Sequence, residues 1–141
     1  MNSKVQIAIL FLWLAGLTPA TEAASSLDQA IAAYEKRDVR KALELLEVLA
    51  KTDEKQALMN LAKVEMRSGK AKNALRAAER LVELYPDDPD AHLTLGMAYL
   101  TMMGEVNVFR LVSMAKQARA GWEKAIALDP NHIGGLYSLF S

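Results

Sequence analysis

The sequence predicts an all-α protein, and three features of the chain support this. Apolar residues recur at spacings of three and four through most of the chain after residue 26, which is the pattern of a helix with one buried face. No stretch alternates between apolar and polar residues for long enough to predict a strand. Pro86, Pro89 and Pro130 fall between the helical segments, where proline is tolerated.

The composition is that of one folded domain without cysteine chemistry. The chain has 141 residues and 52% of them are apolar, which is enough to build a core. Seventeen basic and seventeen acidic residues give a net charge of zero, which argues against a nucleic-acid partner. Because there is no cysteine, disulfides, thiolate metal sites, cysteine nucleophiles and a lipidated cysteine anchor are all excluded.

The amino-terminal residues have the layout of a secretory signal peptide. Lys4 precedes an uncharged, mostly apolar run at residues 5–17, and small residues follow. We expect a signal peptide at 1–23 with cleavage after Ala23, or alternatively after Ala20, and hence a periplasmic or secreted protein. The run is short for a membrane span, which needs about 20 apolar residues. An uncleaved membrane anchor is the alternative interpretation.

Two segments show the helical pattern most clearly, and both include small residues at apolar positions. Small residues let helices approach closely, while larger apolar side chains fill the space between them. The apolar positions are Val39, Ala42, Leu43, Leu46 and Leu49 in the first segment, and Ala71, Ala74, Leu75, Ala78, Leu81 and Val82 in the second.

Two helix starts are predicted from their capping residues. Asp88 followed by Pro89 combines a preferred N-cap with the residue favoured at the first helical position. Asp53 with Gln56 three residues later is predicted to form a variant of the capping box.

The helical segments repeat, and residues 89–130 carry the fullest signature. In this unit the chain resembles the tetratricopeptide repeat (TPR) family, whose unit of about 34 residues folds as two antiparallel helices. Residues 55–88 match less fully. The matching positions of the fullest unit are His92, Leu95, Gly96 and Tyr99 at its opening, and Ala118, Trp122, Ala125 and Pro130 at its close.

The resemblance extends over about residues 27–141 and implies a short α-solenoid. It implies that the repeat domain occupies residues 24–141. Within this domain it implies successive units at about 27–54, 55–88 and 89–130, and the start of a fourth at 131–141.

Two departures from the family pattern predict local differences in structure. Glu65 stands where the second unit should carry tyrosine, which predicts weaker helix packing there. The third unit is about ten residues longer than the family spacing. Its extra stretch, GEVNVFRLVSMAK, keeps helical spacing from Val108 to Ile126 and therefore predicts a lengthened second helix.

The resemblance also implies a partner-binding surface, because the first helices of TPR units usually line a concave face. We expect methionines there to adapt to varied partners; the alternative is that a neighbouring helix covers these residues. Lys63 and Asn60 alone do not rebuild the arrangement with which some family members grip a peptide carboxylate. The implied binding residues are Gln56, Met59, Lys63, Met66, Arg67, Leu93, Met97 and Leu100.

The sequence offers no set of residues that predicts catalysis. The only histidines are His92, expected to pack within a helix, and His132, in a linker. Asp87, Asp88 and Asp90 are interpreted as a capped turn, since their spacing matches no metal-binding loop. The serines lack a partnering histidine and acid, and there is no glycine-rich phosphate loop. We expect no catalytic, metal or cofactor site, and no enzyme.

The sequence therefore predicts an exported interaction module or scaffold that binds a protein or peptide without catalysis. It could instead be the structural amino-terminal segment of a longer repeat protein, or a scaffold that contacts the membrane only if the signal is uncleaved. Leu136, Leu139 and Phe140 give the last helix an apolar face. Because repeat arrays normally finish with a polar capping helix, we expect a truncated chain that self-associates through an open carboxyl-terminal end.

We predict that the mature chain begins at or near Ala24, because the charged start, apolar run and small residues match a cleavable signal. Mass spectrometry of the exported protein should give a mass that lacks residues 1–23. Detection of an intact Met1 on exported protein would contradict the prediction.

Overall fold

The protein is all-α across the residues that the structure describes, as the sequence predicts. A computed structural model describes the backbone of residues 19–140 and the side chains of residues 26–139. Within residues 19–140 there is no strand. The helices are α1 (Pro19–Glu35), α2 (Val39–Ala50), α3 (Lys55–Arg67), α4 (Ala71–Leu84), α5 (Pro89–Met102), α6 (Val108–Leu128) and α7 (Ile133–Phe140).

Most of the predicted signal peptide lies outside the described residues. Helix α1 begins at Pro19, and proline is compatible with the first position of a helix because its missing N–H would have no partner there. Among the described helices, none combines the length and apolar character that crossing a membrane requires. The signal peptide at 1–23 therefore stays a prediction.

The chain divides into two compact units, one up to Leu45 and one from Leu46 onward. In the first unit, α1 and the beginning of α2 are joined by a tight turn. Arg37 adopts the left-handed conformation there, with φ of 62°, and the amide of Asp38 donates to the Ala33 carbonyl at 2.9 Å. The buried side chains of this unit include Ala30, Ala33, Ala42 and Leu43.

In the second unit each helix packs on the next, from α3 to α7, and α3 also packs on α5. The first helices of successive pairs are therefore neighbours, while α4 lies against both of them. Two clusters fill this interior, and the second, which consists of alanines, confirms that small residues stand where helices meet. They contain Leu58, Met59, Leu81 and Ala91, and Ala62, Ala77, Ala78 and Ala98.

Helices α5 and α6 approach most closely at Gly96 and Gly121. A Cβ atom on Gly96 would lie 2.4 Å from Trp122 Nε1 and 2.8 Å from the Ala118 carbonyl oxygen. A Cβ atom on Gly121 would lie 2.8 Å from the His92 carbonyl oxygen. These distances are shorter than van der Waals contact, so this crossing admits only glycine at both positions without a shift of one helix.

One of the two predicted helix caps is confirmed and the other is wrong. Asp88 Oδ1 accepts from the amides of Asp90 at 2.9 Å and Ala91 at 3.2 Å, which fixes the start of α5. Asp53 does not cap α3, because Glu54 is the N-cap residue and makes no side-chain cap. Asp53 instead adopts a left-handed φ of 58° and directs its carboxylate to the guanidinium of Arg80.

The prediction that the second helix of the repeat at 89–130 is lengthened is confirmed. Helix α6 has 21 residues, whereas α4 has 14. It begins after Asn107, whose side chain accepts from the Arg110 amide at 3.3 Å. The added turns carry exposed apolar side chains, with Phe109 90% exposed. The helical pattern there reflects an amphipathic face that the described chain leaves in solvent.

We predict that Gly96→Leu lowers the free energy of unfolding by about 2 kcal/mol or more, because the side chain would overpack the α5–α6 crossing. Gly104→Leu is the matched control, since a Cβ atom there meets only the Thr101 carbonyl oxygen at 3.6 Å. Thermal or urea unfolding should separate the two variants. An unchanged melting temperature for Gly96→Leu would show that the repeat register is wrong.

Candidate functional site

The eight residues predicted to bind a partner all lie on α3 and α5, the first helices of two successive helix pairs. We call this set the first-helix surface. Since α3 and α5 pack on each other, the structure brings the two groups onto neighbouring helices. Gln56, Met59, Lys63, Met66 and Arg67 lie on α3, and Leu93, Met97 and Leu100 lie on α5.

Met59 belongs to the core and is not accessible to a partner. Its side chain is 6% exposed and packs in the cluster that includes Leu58 and Leu81. Met66 is half-buried and packs against the cluster of small residues around Ala62. Of the two predicted methionines on α3, neither offers a fully exposed side chain.

Helix α5 supplies the exposed apolar part of the first-helix surface. Met97 is 39% exposed and Leu100 is 51% exposed. Leu93 is half-buried, and α7 approaches it closely, because a Cβ atom on Gly134 would lie 2.7 Å from Leu93 Cδ2. The alternative that a neighbouring helix covers the surface thus holds in part for Leu93, while Met97 and Leu100 remain available.

The polar part of the first-helix surface lies on α3 and is basic. Gln56, Lys63 and Arg67 are exposed. Together with Met97 and Leu100, these residues combine an apolar patch with positive charge. Such a surface can hold an apolar side chain of a partner while attracting a carboxylate.

Both histidine side chains make hydrogen bonds to the backbone near the start of a helix. His92 is buried, and its Nε2 donates to the Pro86 carbonyl oxygen at 2.7 Å, since a carbonyl can only accept. His132 Nδ1 accepts from the Gly135 amide at 3.1 Å, which leaves Nε2 facing Asp90 Oδ1 at 3.1 Å. Within the described residues, no group of three or more His, Asp or Glu side chains is arranged to hold a metal ion.

A second feature, which the binding-site prediction missed, is a pocket around the buried carboxylate of Glu65. Glu65 is 2% exposed. Its Oε1 accepts from Asn73 Nδ2 at 3.2 Å, whereas Oε2 is buried and forms an ion pair with Lys70 Nζ at 3.6 Å. The pocket has a volume of about 550 Å³ and is lined by Glu47, Ala50, Lys51, Leu58, Leu61, Glu65, Asn73, Arg76, Ala77 and Arg80.

An ion pair joins the start of α3 to the start of α5. Lys55 Nζ contacts Asp88 Oδ2 while Asp88 Oδ1 caps α5. Partial burial alone would raise the pKa of Asp88, but the bonds from Lys55 and from the capped amides outweigh it and leave the pKa below its usual value. The same hydrogen bond raises the pKa of Lys55. This ion pair therefore links α3 and α5, the two helices that carry the first-helix surface.

Comparison with known sequences decides the family. The sequence profile of the tetratricopeptide repeat matches residues 27–89 and 59–101, which together cover more than half of the chain. The chain belongs to the tetratricopeptide repeat family. None of the curated proteins matches its sequence significantly.

Solved TPR structures have the same fold at low sequence identity. A thermophilic TPR protein from Thermus thermophilus gives a TM-score of 0.71 at 21% identity, over 84% of this chain and 66% of that one. The Sgt2 TPR domain of Aspergillus fumigatus gives 0.71 at 23% identity, over 87% and 76%. The first TPR of Spaghetti (RPAP3), bound to an HSP90 peptide, gives 0.68 at 16% identity, over 84% and 87%. These likenesses confirm the helical repeat fold.

The family pattern explains why Glu65 is unusual. The corresponding position of the next TPR unit is Tyr99, whose pKa is raised by burial and by the nearby carboxylate of Glu79, to which it hydrogen-bonds. At Glu65 the smaller side chain brings a carboxylate to the place of an aromatic ring. The one sequence signal for the pocket is this departure, which places a carboxylate among the residues that line it.

We predict that Asp88→Ala lowers the free energy of unfolding by about 1–2 kcal/mol, because it removes a helix cap and the contact with Lys55. Asp88→Asn keeps a capping oxygen and should cost less. Because folding lowers the pKa of Asp88, the charge stabilises the protein above about pH 3.9 and this contribution is lost as the pH falls through the folded-state pKa.

Urea unfolding of the wild type and Asp88→Asn at pH 7 and pH 3 measures this effect. The difference between the two proteins should shrink at the lower pH. A difference that stays constant would show that the carboxylate charge does not stabilise the fold.

Proposed function

We propose that this TPR protein is an exported, non-catalytic module that binds another protein or a peptide on its first-helix surface. The observation that carries the proposal is the exposure of Met97 and Leu100 on α5 and of basic side chains on α3, the helix that packs on it. Membership of a family of interaction repeats supports binding as the activity. Export is supported by the sequence pattern of residues 1–23.

The chemistry of the surface favours a partner segment that carries apolar and acidic side chains. Burying one apolar side chain is worth roughly 1.5–3 kcal/mol, so Met97 and Leu100 can supply affinity. The unbranched methionine adapts its shape to different apolar groups. Lys63 and Arg67 are exposed and would favour carboxylates in the same segment, mainly by attraction during association.

A solved relative gives this idea a precedent without fixing the ligand. The structure of the first TPR of Spaghetti (RPAP3) contains an HSP90 peptide with the sequence SRMEEVD, which includes a methionine and acidic residues. That ligand belongs to the other protein. In this chain, Lys63 and Asn60 do not reproduce the arrangement with which some family members bind a peptide carboxylate. We therefore propose that apolar contacts and the attraction between basic side chains and acidic residues of the partner provide recognition.

The mechanism is passive, because a preformed helical surface is offered to the partner and no bond is made or broken. Its proposed neighbours are proteins or peptides rather than nucleic acids, since the chain carries no net charge. Self-association through α7 also stays a prediction, and the exposed side chains of Ile133 and Tyr137 on this helix are consistent with it.

We predict that a Met97→Asp, Leu100→Asp double variant loses peptide binding by at least tenfold. The assay is fluorescence binding to an array of heptapeptides that contain apolar and acidic residues in varied order. Val112→Asp is the matched control, because Val112 is an exposed apolar residue on α6, outside the first-helix surface. It should retain the wild-type pattern of bound peptides.

Circular dichroism should show that the double variant keeps the helical content of the wild type. Binding that is unaffected by the double variant, or that depends equally on Val112, would contradict the assignment of the surface.

A further inference from the structure

We propose that the protein binds the surface of a membrane rich in anionic phospholipids, through the exposed apolar side chains at the start of α6 and the basic side chains around them. Phe109 enters the interfacial layer of the bilayer, and lysine and arginine side chains contact the lipid phosphates. This contact needs no spanning helix and no uncleaved signal. It uses a different surface from peptide binding, so the inference does not rest on the proposed function.

The apolar part of this surface lies where α6 extends past α5. The two helices cross at Gly96 and Gly121. Beyond the crossing α5 ends at Met102, whereas α6 reaches back to Val108. At 1.5 Å per residue, α6 is longer on this side by about 10 Å. We call residues 108–115 the α6 extension.

The side chains of the α6 extension form an exposed apolar group. Val108, Phe109 and Val112 are all exposed, Phe109 almost completely. The first buried residue of α6 is Ala118. Exposed apolar side chains that are grouped in one place mark interaction sites. Because this group lies on a projecting helix end, it is better suited to enter a soft surface than to receive a partner's side chain.

The α6 extension lies at an edge of the second unit whose exposed charges are basic. The amide of Ala71 donates to Glu105 Oε1 at 3.3 Å, which places the α3–α4 turn beside the α5–α6 loop. We call this the basic edge. The nearest carboxylates along the chain are engaged, since Glu105 makes that hydrogen bond and the buried Glu65 pairs with Lys70. The exposed basic side chains are Arg67, Lys72, Arg110 and Lys116.

The opposite edge of the second unit is acidic. Helices joined by short turns run antiparallel, so the other turns lie at that edge. Two contacts join them, because the Tyr85 hydroxyl donates to the Asp53 carbonyl oxygen at 2.8 Å and His132 Nε2 lies 3.1 Å from Asp90 Oδ1. The carboxylates there are Asp53, Glu54, Asp87, Asp88, Asp90 and Asp129. A chain without net charge thus separates its charges between two edges.

This separation favours an anionic bilayer as the partner of the basic edge. Basic residues next to an exposed apolar helix face are typical of helices that lie on membranes, and anionic headgroups attract them. A bilayer accepts both parts at once, because its headgroups are charged and its acyl chains are apolar. The acidic edge of a second copy is a weaker match, since Asp53 and Asp88 are already paired with Arg80 and Lys55.

The test places a fluorophore at one position of the full chain and adds vesicles. The chain has no cysteine, so Val112→Cys is a unique site for an environment-sensitive label. We expect its fluorescence to rise with vesicles of equal parts phosphatidylglycerol and phosphatidylcholine. Vesicles of phosphatidylcholine alone should bind about tenfold more weakly or less. The same label at Ile133→Cys, an exposed position at the acidic edge, should not respond.

A variant of the apolar part tests insertion. Phe109→Asp in the labelled protein should weaken binding to the mixed vesicles by about tenfold or more, because the aromatic ring no longer leaves water. Phe109 is almost completely exposed, so circular dichroism should show unchanged helical content. Each label reports its own position, so attachment through residues 1–23 does not reproduce this result.

A pair of charge variants tests the basic edge. Arg110→Glu with Lys116→Glu should weaken binding to the mixed vesicles by about tenfold or more. Lys51→Glu with Lys124→Glu is the matched control, because it changes the net charge equally at exposed positions nearer the acidic edge. The control should bind as the wild type does.

Four results would overturn the inference. An equal response to phosphatidylcholine alone would show apolar contact without charge recognition, and an equal response of the Ile133 label would show no orientation. Binding that survives Phe109→Asp would show that the α6 extension stays outside the bilayer. A rise of both labels in concentrated protein without vesicles would assign the surface to a second copy. Loss of peptide binding at the first-helix surface leaves all of these results unchanged.

Discussion

The close approach of α5 and α6 is the constraint on which the rest of the second unit depends. At Gly96 and Gly121 the two backbones come near enough that a Cβ atom on either residue would contact the other helix at less than 3 Å. This fixes α5 between α6 on one side and α3 and α4 on the other. Only a narrow strip of α5 is then left exposed, and Met97 and Leu100 lie in it.

The same packing gives α3 two different sides. Gln56 and Lys63 belong to the first-helix surface, whereas Leu58, Leu61 and Glu65 face the pocket beside α4. The first is a shallow apolar and basic surface, and the second is a recess that ends in a buried carboxylate.

The helices were predictable from the sequence because their signals are local. Spacing of apolar residues marked α4 and α6, and Asp88 with Pro89 marked the start of α5 through a cap that involves neighbouring amides. The prediction that Asp53 caps α3 was wrong because it considered only neighbouring residues. Its carboxylate is bound by Arg80, a residue 27 positions later, so a long-range contact displaced the local cap.

The site was less predictable because exposure depends on packing between helices. The family pattern assigned both Met59 and Met97 to the partner-binding surface, yet Met59 is in the core and Met97 is exposed. Which of them is covered is decided by the neighbouring helices, whose positions no single segment encodes. Glu65 was visible as a departure from the pattern, but the hydrogen bond and the ion pair that hold its carboxylate depend on the positions of Asn73 and Lys70.

The central claim is that the lack of side chains at Gly96 and Gly121 sets the distance between α5 and α6, with the Trp122 ring beside Gly96. A double-mutant cycle of Gly96→Ala and Trp122→Leu, followed by urea unfolding, tests it most directly. Trimming Trp122 removes the ring atoms that an added Cβ would meet at 2.4 and 2.5 Å, so Gly96→Ala should cost less in the Trp122→Leu background, by about 0.5 kcal/mol or more. Additive costs would contradict the account.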